Sequence, residues 1–318
     1  MQHLSDADKD ALLSWYAQNQ RTLPWRISRD PWHVLLSEVL LQQTQMTRGL
    51  EYWKNIIERF PTIVELARAD VEELLLLWQG AGYYARARRL HECATLIVSK
   101  HGGSIPSSYD ELRALPGIGP YTAAAVASIA FGQPQACVDG NIRRVMARFC
   151  LNQDPNEKDL SDWSLHQLVT ASPGEWNQAL MELGATICRP KNPDCTRCPI
   201  ATNCRGKHHP NQYPRPKKRK SKQVKLTAIL EIDSDGFAKL YHRPAQGLFG
   251  GMYGPTILEG NTDTGGAKFA GVVFHSLSHR DFEIAVYVTK TASSGSPMST
   301  HPLSSMDMKI LAQGGVLH

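Results

Sequence analysis

The chain has 318 residues, enough for two domains, and carries a net charge of +5. Seven of its Lys and Arg lie at 215–225, and without them the net charge becomes −2, so the basic character is local. No apolar run approaches the ~20 residues of a membrane span, the start is polar, and the seven cysteines are odd in number with four crowded at 188–204. These features exclude a membrane protein and a secreted disulfide framework, and predict a soluble cytoplasmic protein.

Residues 1–205 read as helices in series. Ser5 caps the first, with Leu12, Leu13, Trp15 and Tyr16 on its apolar face. Asp30-Pro31 opens another, with Trp32, Leu35, Leu36, Val39 and Leu40 at helical spacing. Along its flank the pattern predicts Glu38, Gln42 and Gln45 in one row. A carboxylate at the margin of a buried face has its pKa raised by desolvation, which suits a general acid near neutral pH; the plainer alternative is a solvated surface Glu. Thr62 with Glu65 and Asp70 with Glu73 mark two more helix starts, and 83–100 is a basic helix ending at Gly102-Gly103.

At 112–141 two helix signals flank a glycine turn. Ser108 with Glu111 opens a short helix, Pro116-Gly117 stops it, and Pro120 begins an Ala-rich helix closed by Gly132 and Pro134. Gly117 and Gly119 let backbone N–H groups approach an anion beside a helix start. The same glycines also suit a tight helix–helix connection without a ligand. Val138-Asp139-Gly140-Asn141 follows at a fixed remove.

Cys188, Cys195, Cys198 and Cys204 give C-x6-C-x2-C-x5-C. Four thiolates in so short a stretch can close around one metal centre, either a tetrahedral zinc or a [4Fe–4S] cluster, and spacing alone does not decide between them. Cys93, Cys137 and Cys150 fall on apolar faces as core residues. Residues 206–224 form a Pro-rich basic linker, read as a solvated tether or as a contributor to DNA affinity. Beyond it the periodicity changes to strands at 226–232, 237–242, 271–277 and 282–288, with a hairpin turn at Asp235-Gly236. The tail after Thr291 is expected to be poorly ordered.

Together the glycine turn, the Asp139 motif and the cysteine spacing resemble the helix–hairpin–helix base-excision DNA glycosylases with an iron–sulfur loop, the endonuclease III-like fold. Leu23-Pro24-Trp25-Arg26, Ser37-Glu38-Val39-Leu40-Leu41-Gln42-Gln43-Thr44-Gln45, the segment 78–88 and the segment 180–188 resemble the adenine glycosylases of the MutY family in particular. The likeness covers about 10–205 and implies an α+β protein: an all-α glycosylase domain at 1–205, the linker at 206–224, and a smaller MutT/Nudix-like α/β domain at 225–318.

It also implies roles. Glu38 matches the general acid that protonates adenine, and Asp139 the carboxylate that stabilises the oxocarbenium-like sugar. Tyr121 and Asn141 match neighbours that orient the water and Asp139. Trp25, Arg26 and Gln178 match residues that hold the flipped base, and Gln43 one that probes the duplex gap. Gly117 and Gly119 would grip the DNA backbone, and the four cysteines would hold a structural [4Fe–4S] cluster. Bifunctional relatives carry a Schiff-base lysine where this chain has Tyr121, which implies a glycosylase without strong lyase activity. Ala81 replaces a larger wedge residue.

In the second domain, 243–253 resembles a family loop, and Ser278 and His279 match the segment that senses 8-oxoguanine, although Leu277 replaces its usual aromatic; a surface turn is the alternative there. The only glutamates beyond 225 are the scattered Glu231, Glu259 and Glu283, so no Nudix hydrolase site is expected. The implied partner is double-stranded DNA with A:8-oxoguanine or A:G mispairs, bound by a monomer, on the nucleoid in a bacterium. The competing readings are an endonuclease III-like glycosylase/lyase for oxidised pyrimidines and a non-catalytic iron–sulfur DNA-binding protein.

Overall fold

A computed structural model describes residues 1–42, 44–216, 221–277 and 279–316. The helices are α1 (Asp6–Asn19), α2 (Pro24–Ser28), α3 (Pro31–Leu40), α4 (Met46–Arg59), α5 (Ile63–Arg68), α6 (Val71–Leu77), α7 (Ala85–His101), α8 (Tyr109–Arg113), α9 (Pro120–Phe131), α10 (Gly140–Cys150), α11 (Glu157–Gln167), α12 (Pro173–Thr186) and α13 (Ser305–Gln313). The strands are β1 (Lys222–Ile232), β2 (Tyr241–His242), β3 (Tyr253–Gly254), β4 (Thr256–Glu259), β5 (Lys268–Ser276) and β6 (Arg280–Lys290). The fold class is mixed α+β, a helical part followed by a smaller part of strands with one helix. No helix among the described residues is long and apolar enough to cross a membrane.

By contacts the chain divides into two compact units: 1–43 with 62–64 and 93–217, and 44–61 with 65–92 and 218–318. In the first, α9 is buried almost all round, from Thr122 to Ile129. A helix with no polar face has to lie among others, and its small side chains let α3, α8 and α12 close on it. Gly174 shows how tightly: a β-carbon there would stand 2.6 Å from the Ser128 carbonyl oxygen. α12 also packs against α1 and α10, so it joins the early and late parts of this unit.

In the second unit a four-stranded sheet runs β4-β1-β6-β5, with β1 parallel to β6 and antiparallel to β4. Leu226, Ala228 and Leu230 of β1 and Phe282, Ile284 and Val286 of β6 face Leu303, Met306, Ile310 and Leu311. The last three belong to α13, which corrects the expectation of a poorly ordered tail. Ser304 and Asp307 form a full capping box, and one apolar face drives the helix onto the sheet. The Ser- and Thr-rich composition of 291–300 obscured that signal. The strand expected at 237–242 shortens to Tyr241–His242 plus a bridge at Ala238.

Candidate active site

α3 starts as expected, with the Asp30 carboxyl accepting from Trp32 and His33 N–H, but it ends at Leu40. Glu38 is therefore on the helix and Gln42 beyond it, which corrects the expected row of Glu38, Gln42 and Gln45. Gln42 still donates from Nε2 to Thr122 Oγ1 at 3.3 Å.

The Glu38 carboxyl lies deep although the residue keeps some accessible surface. Its pKa is raised from 4.5 to about 7, first by desolvation and further by the charge of Asp139, while a hydrogen bond from Tyr121 and the charge of Arg26 oppose the rise. Asp139 is the N-cap of α10. One carboxylate oxygen accepts from Ile142 N–H at 2.7 Å and the other from Asn141 Nδ2 at 2.7 Å. Burial raises its pKa, and these bonds hold the rise in check. Tyr121, in the first turn of α9, is close enough to both acids to feel their charge. Desolvation pushes its hydroxyl well above the usual phenol range, with Glu38 and Asp139 adding to the effect.

Behind the acids, Asn141 Oδ1 accepts from Arg144 Nη2 at 2.8 Å, and Arg144 Nε donates to the Cys188 carbonyl at 2.7 Å. Arg26 has little freedom. Its Nη2 donates to Glu182 Oε2 at 2.8 Å, and Arg21 grips the other oxygen of the same fully buried carboxylate at 2.7 Å. Trp25 is buried on α2, and Gln178, buried one turn before Glu182 on α12, donates to Gly174 O.

Two residues escaped the sequence reading. Glu182 entered there only within the resembling segment 180–188, although a carboxylate four residues after Gln178 in an apolar helix is a usable signal. Met181 Sδ, 3.2 Å from the Tyr121 hydroxyl, had none.

In the glycine turn, Gly117 has φ +76°, and Arg113 Nη1 braces the loop by donating to Ile118 O at 2.8 Å. No side chain caps α9, and the space beside Gly119 is open for 4 Å. Bare amides at a helix start attract anions.

The four cysteines line one cavity with apolar residues such as Val145, Phe149, Ile187 and Ile200 and with Arg148, Asp194 and Lys207. Among the described residues no three His, Cys, Asp or Glu are arranged to hold a single ion. Burial pushes the Cys198 thiol to about 12 and Cys204 to about 11, so ionised sulfurs here require compensating positive charge. Arg148, almost wholly buried, supplies part of it with Nη1 3.2 Å from Cys188 Sγ. The same guanidinium ties the loop to α10 through the carbonyls of Cys188, Arg189 and Pro190.

The second unit holds a separate cavity lined by Tyr83, Arg88, Phe249, Leu277 and His279 among others. Tyr83 is 47% exposed at φ +52°, a strained conformation for a bulky residue, with the Arg86 guanidinium 5.4 Å from its ring. Gln43 and Ser278 lie outside the described residues.

Residues 36–168 match the family model described as HhH-GPD superfamily base excision DNA repair protein. The chain is 44% identical over 220 residues to an adenine DNA glycosylase of Homo sapiens, covering 65% of this chain and 40% of that protein. It is 41% identical over 204 residues to one of Mycobacterium tuberculosis, covering 62% and 66%. Among solved structures, a thermostable thymine-DNA glycosylase superposes with a TM-score of 0.59 at 28% identity, covering 63% of this chain and 94% of that one. A trapped endonuclease III–DNA covalent intermediate superposes at 0.56 and 25% identity, covering 63% and 93%.

Proposed function

Since this chain belongs to the HhH-GPD superfamily of base excision DNA repair proteins, we propose that it is a monofunctional adenine DNA glycosylase acting on A opposite 8-oxoguanine or G in duplex DNA. The observation that carries this reading is a buried carboxyl, Glu38, within electrostatic reach of a second, Asp139, with a phenol rather than an amine close to both. Glu38 protonates the flipped adenine, which then leaves neutral. Asp139 faces the cationic sugar, steadied by Asn141 and the start of α10. A bond of this kind needs both carboxyls in different states, and their environments supply that difference. Tyr121 and Asn141 orient water and carboxylate, and Trp25, Gln178 and a Glu182-anchored Arg26 form the base pocket. Gln43 probes the gap left in the duplex, and the amides near Gly117 and Gly119 hold the phosphate backbone.

Cys188, Cys195, Cys198 and Cys204 fit a [4Fe–4S] cluster. They line one largely apolar cavity, where four thiolates can hold the cluster, and the likeness to the iron–sulfur glycosylases favours it over zinc. When bound, the cluster staples the 188–204 loop and balances its thiolates. The division at 1–205, 206–224 and 225–318 is the functional one in this proposal, with the last segment reading the base opposite adenine. The cavity lined by Tyr83, Leu277 and His279 supports that role, and Ser278 adjoins it in sequence. The protein acts as a monomer in the DNA-containing compartment. It spans 40% of the length of the human relative it matches.

The test uses end-labelled duplexes carrying A:8-oxoguanine, A:G, A:C or an oxidised pyrimidine, each with and without alkali. Adenine release with strand breakage only after alkali is expected. Release of the oxidised pyrimidine with breakage before alkali would establish the glycosylase/lyase instead, and binding without any release would mark a non-catalytic DNA-binding protein.

A further inference from the structure

We infer that Met181 is a positioning residue for Glu38: its thioether, 3.2 Å from the Tyr121 oxygen, competes for the hydroxyl proton and so weakens the bond that Tyr121 gives the carboxyl. The inference rests on the reading of Glu38 as a general acid.

Tyr121 has one proton and two acceptors within reach. Its oxygen stands 3.2 Å from Met181 Sδ, and the same hydroxyl interacts with the Glu38 carboxyl. Given free choice a phenol donates to an ionised carboxylate, because a charge-assisted bond is about twice as strong as a neutral one. That choice stabilises the anion and works against an acid that must keep its proton. A thioether is a weak acceptor and competes only when fixed in place. Here it is fixed: Met181 follows the buried Gln178 and precedes Glu182, which two arginines clamp.

The other ionisable groups facing Glu38 have no such alternative. Asp139 caps α10, Cys137 Sγ lies 3.9 Å from Ser128 Oγ on α9, and Arg26 is committed to Glu182. Tyr121 is the neutral donor whose direction can change, and Met181 biases it.

Met181→Leu keeps the volume and removes the acceptor. In single-turnover excision from an A:8-oxoguanine duplex, the loss of rate at high pH should move to lower pH by roughly half to one unit. The rate at about pH 8 then falls roughly three- to tenfold, while the rate well below pH 7 and the duplex affinity stay unchanged. In a Tyr121→Phe background the substitution should cause no further displacement. A carboxyl-carbon NMR titration of Glu38 in the free protein should show the same downward shift without substrate. That measurement separates this inference from the proposed activity, whose failure would appear as no adenine release by the wild type. A uniform rate loss at every pH, an unmoved Glu38 titration, or a shift that persists without the phenol would overturn it.

Discussion

Gly184 on α12 faces Asn141 on α10 so closely that a β-carbon built on the glycine would stand 2.5 Å from the Asn141 β-carbon and 3.0 Å from its α-carbon. Helix propensity alone predicts that Gly184→Ala stabilises α12 by about 0.5–1 kcal/mol. The contact predicts the reverse. Asn141 must move, and with it the bond that steadies Asp139. Gly184→Ala should lower the melting temperature and cut single-turnover excision at least tenfold, and a variant more stable than wild type with full activity would contradict the packing.

Glu38→Gln should abolish base release while leaving duplex binding intact, and it should also stabilise the fold. Burial raises the Glu38 pKa from 4.5 to about 7, so the native state holds this proton more tightly than the unfolded chain does. Stability is therefore lost as pH rises through that window. Glutamine avoids the loss, which amounts to roughly 3 kcal/mol above about pH 7 and nothing below about pH 4.5. Paired thermal melts across that range check both the sign and the window.

Asp139→Asn removes charge but keeps an N-cap, because asparagine caps as well as aspartate. α10 should persist by circular dichroism while excision falls at least ~10²-fold, the scale of an acid–base or electrostatic group. Wild-type protein should give little borohydride-trapped adduct, since Tyr121 offers no amine. Tyr121→Lys should gain weak trapping.

The cysteine cavity predicts a brown protein with iron rather than zinc in anaerobically purified samples. Cys198→Ala should lower soluble yield and DNA affinity more than chemistry in whatever folds. Arg148→Met should labilise the cluster as well, since it removes both the cation near Cys188 Sγ and the tie from α10 to the loop carbonyls. Zinc at one equivalent with no iron would refute the assignment.

For the lesion reader, point variants are the sound test. Deleting 222–318 would also strip partners from 65–92, because Leu303 N–H donates to Gln79 Oε1 and Arg88 donates to the Gly250 carbonyl. His279→Ala should narrow the rate ratio of A:8-oxoguanine to A:G, and Leu277→Phe should widen it. If neither ratio moves, this cavity does not sense the opposing base.

Helix starts were set by the chain itself where a cap or proline stands within one turn, whereas the row Glu38, Gln42 and Gln45 and the cap at Ser304 show that nearness in sequence is not sufficient. Ser5, Asp30, Ser108 and Pro120 start helices where caps and proline place them, because a cap acts within one turn. The C-x6-C-x2-C-x5-C spacing put four sulfurs in one loop, and Asp139-Gly140-Asn141 carried its own internal hydrogen bond. Spacing cannot say which helix covers a given face. Only the folded chain brings α12 back across more than 140 residues, so that Glu182 anchors Arg21 and Arg26. In the same return Met181 meets Tyr121 and Gly184 meets Asn141. Helical periodicity defines a stripe on one helix, whereas the partner of that stripe depends on volumes and backbone approach summed over every helix at once. For the same reason the desolvation that makes Glu38 an acid near neutral pH belongs to the tertiary structure and not to the residue.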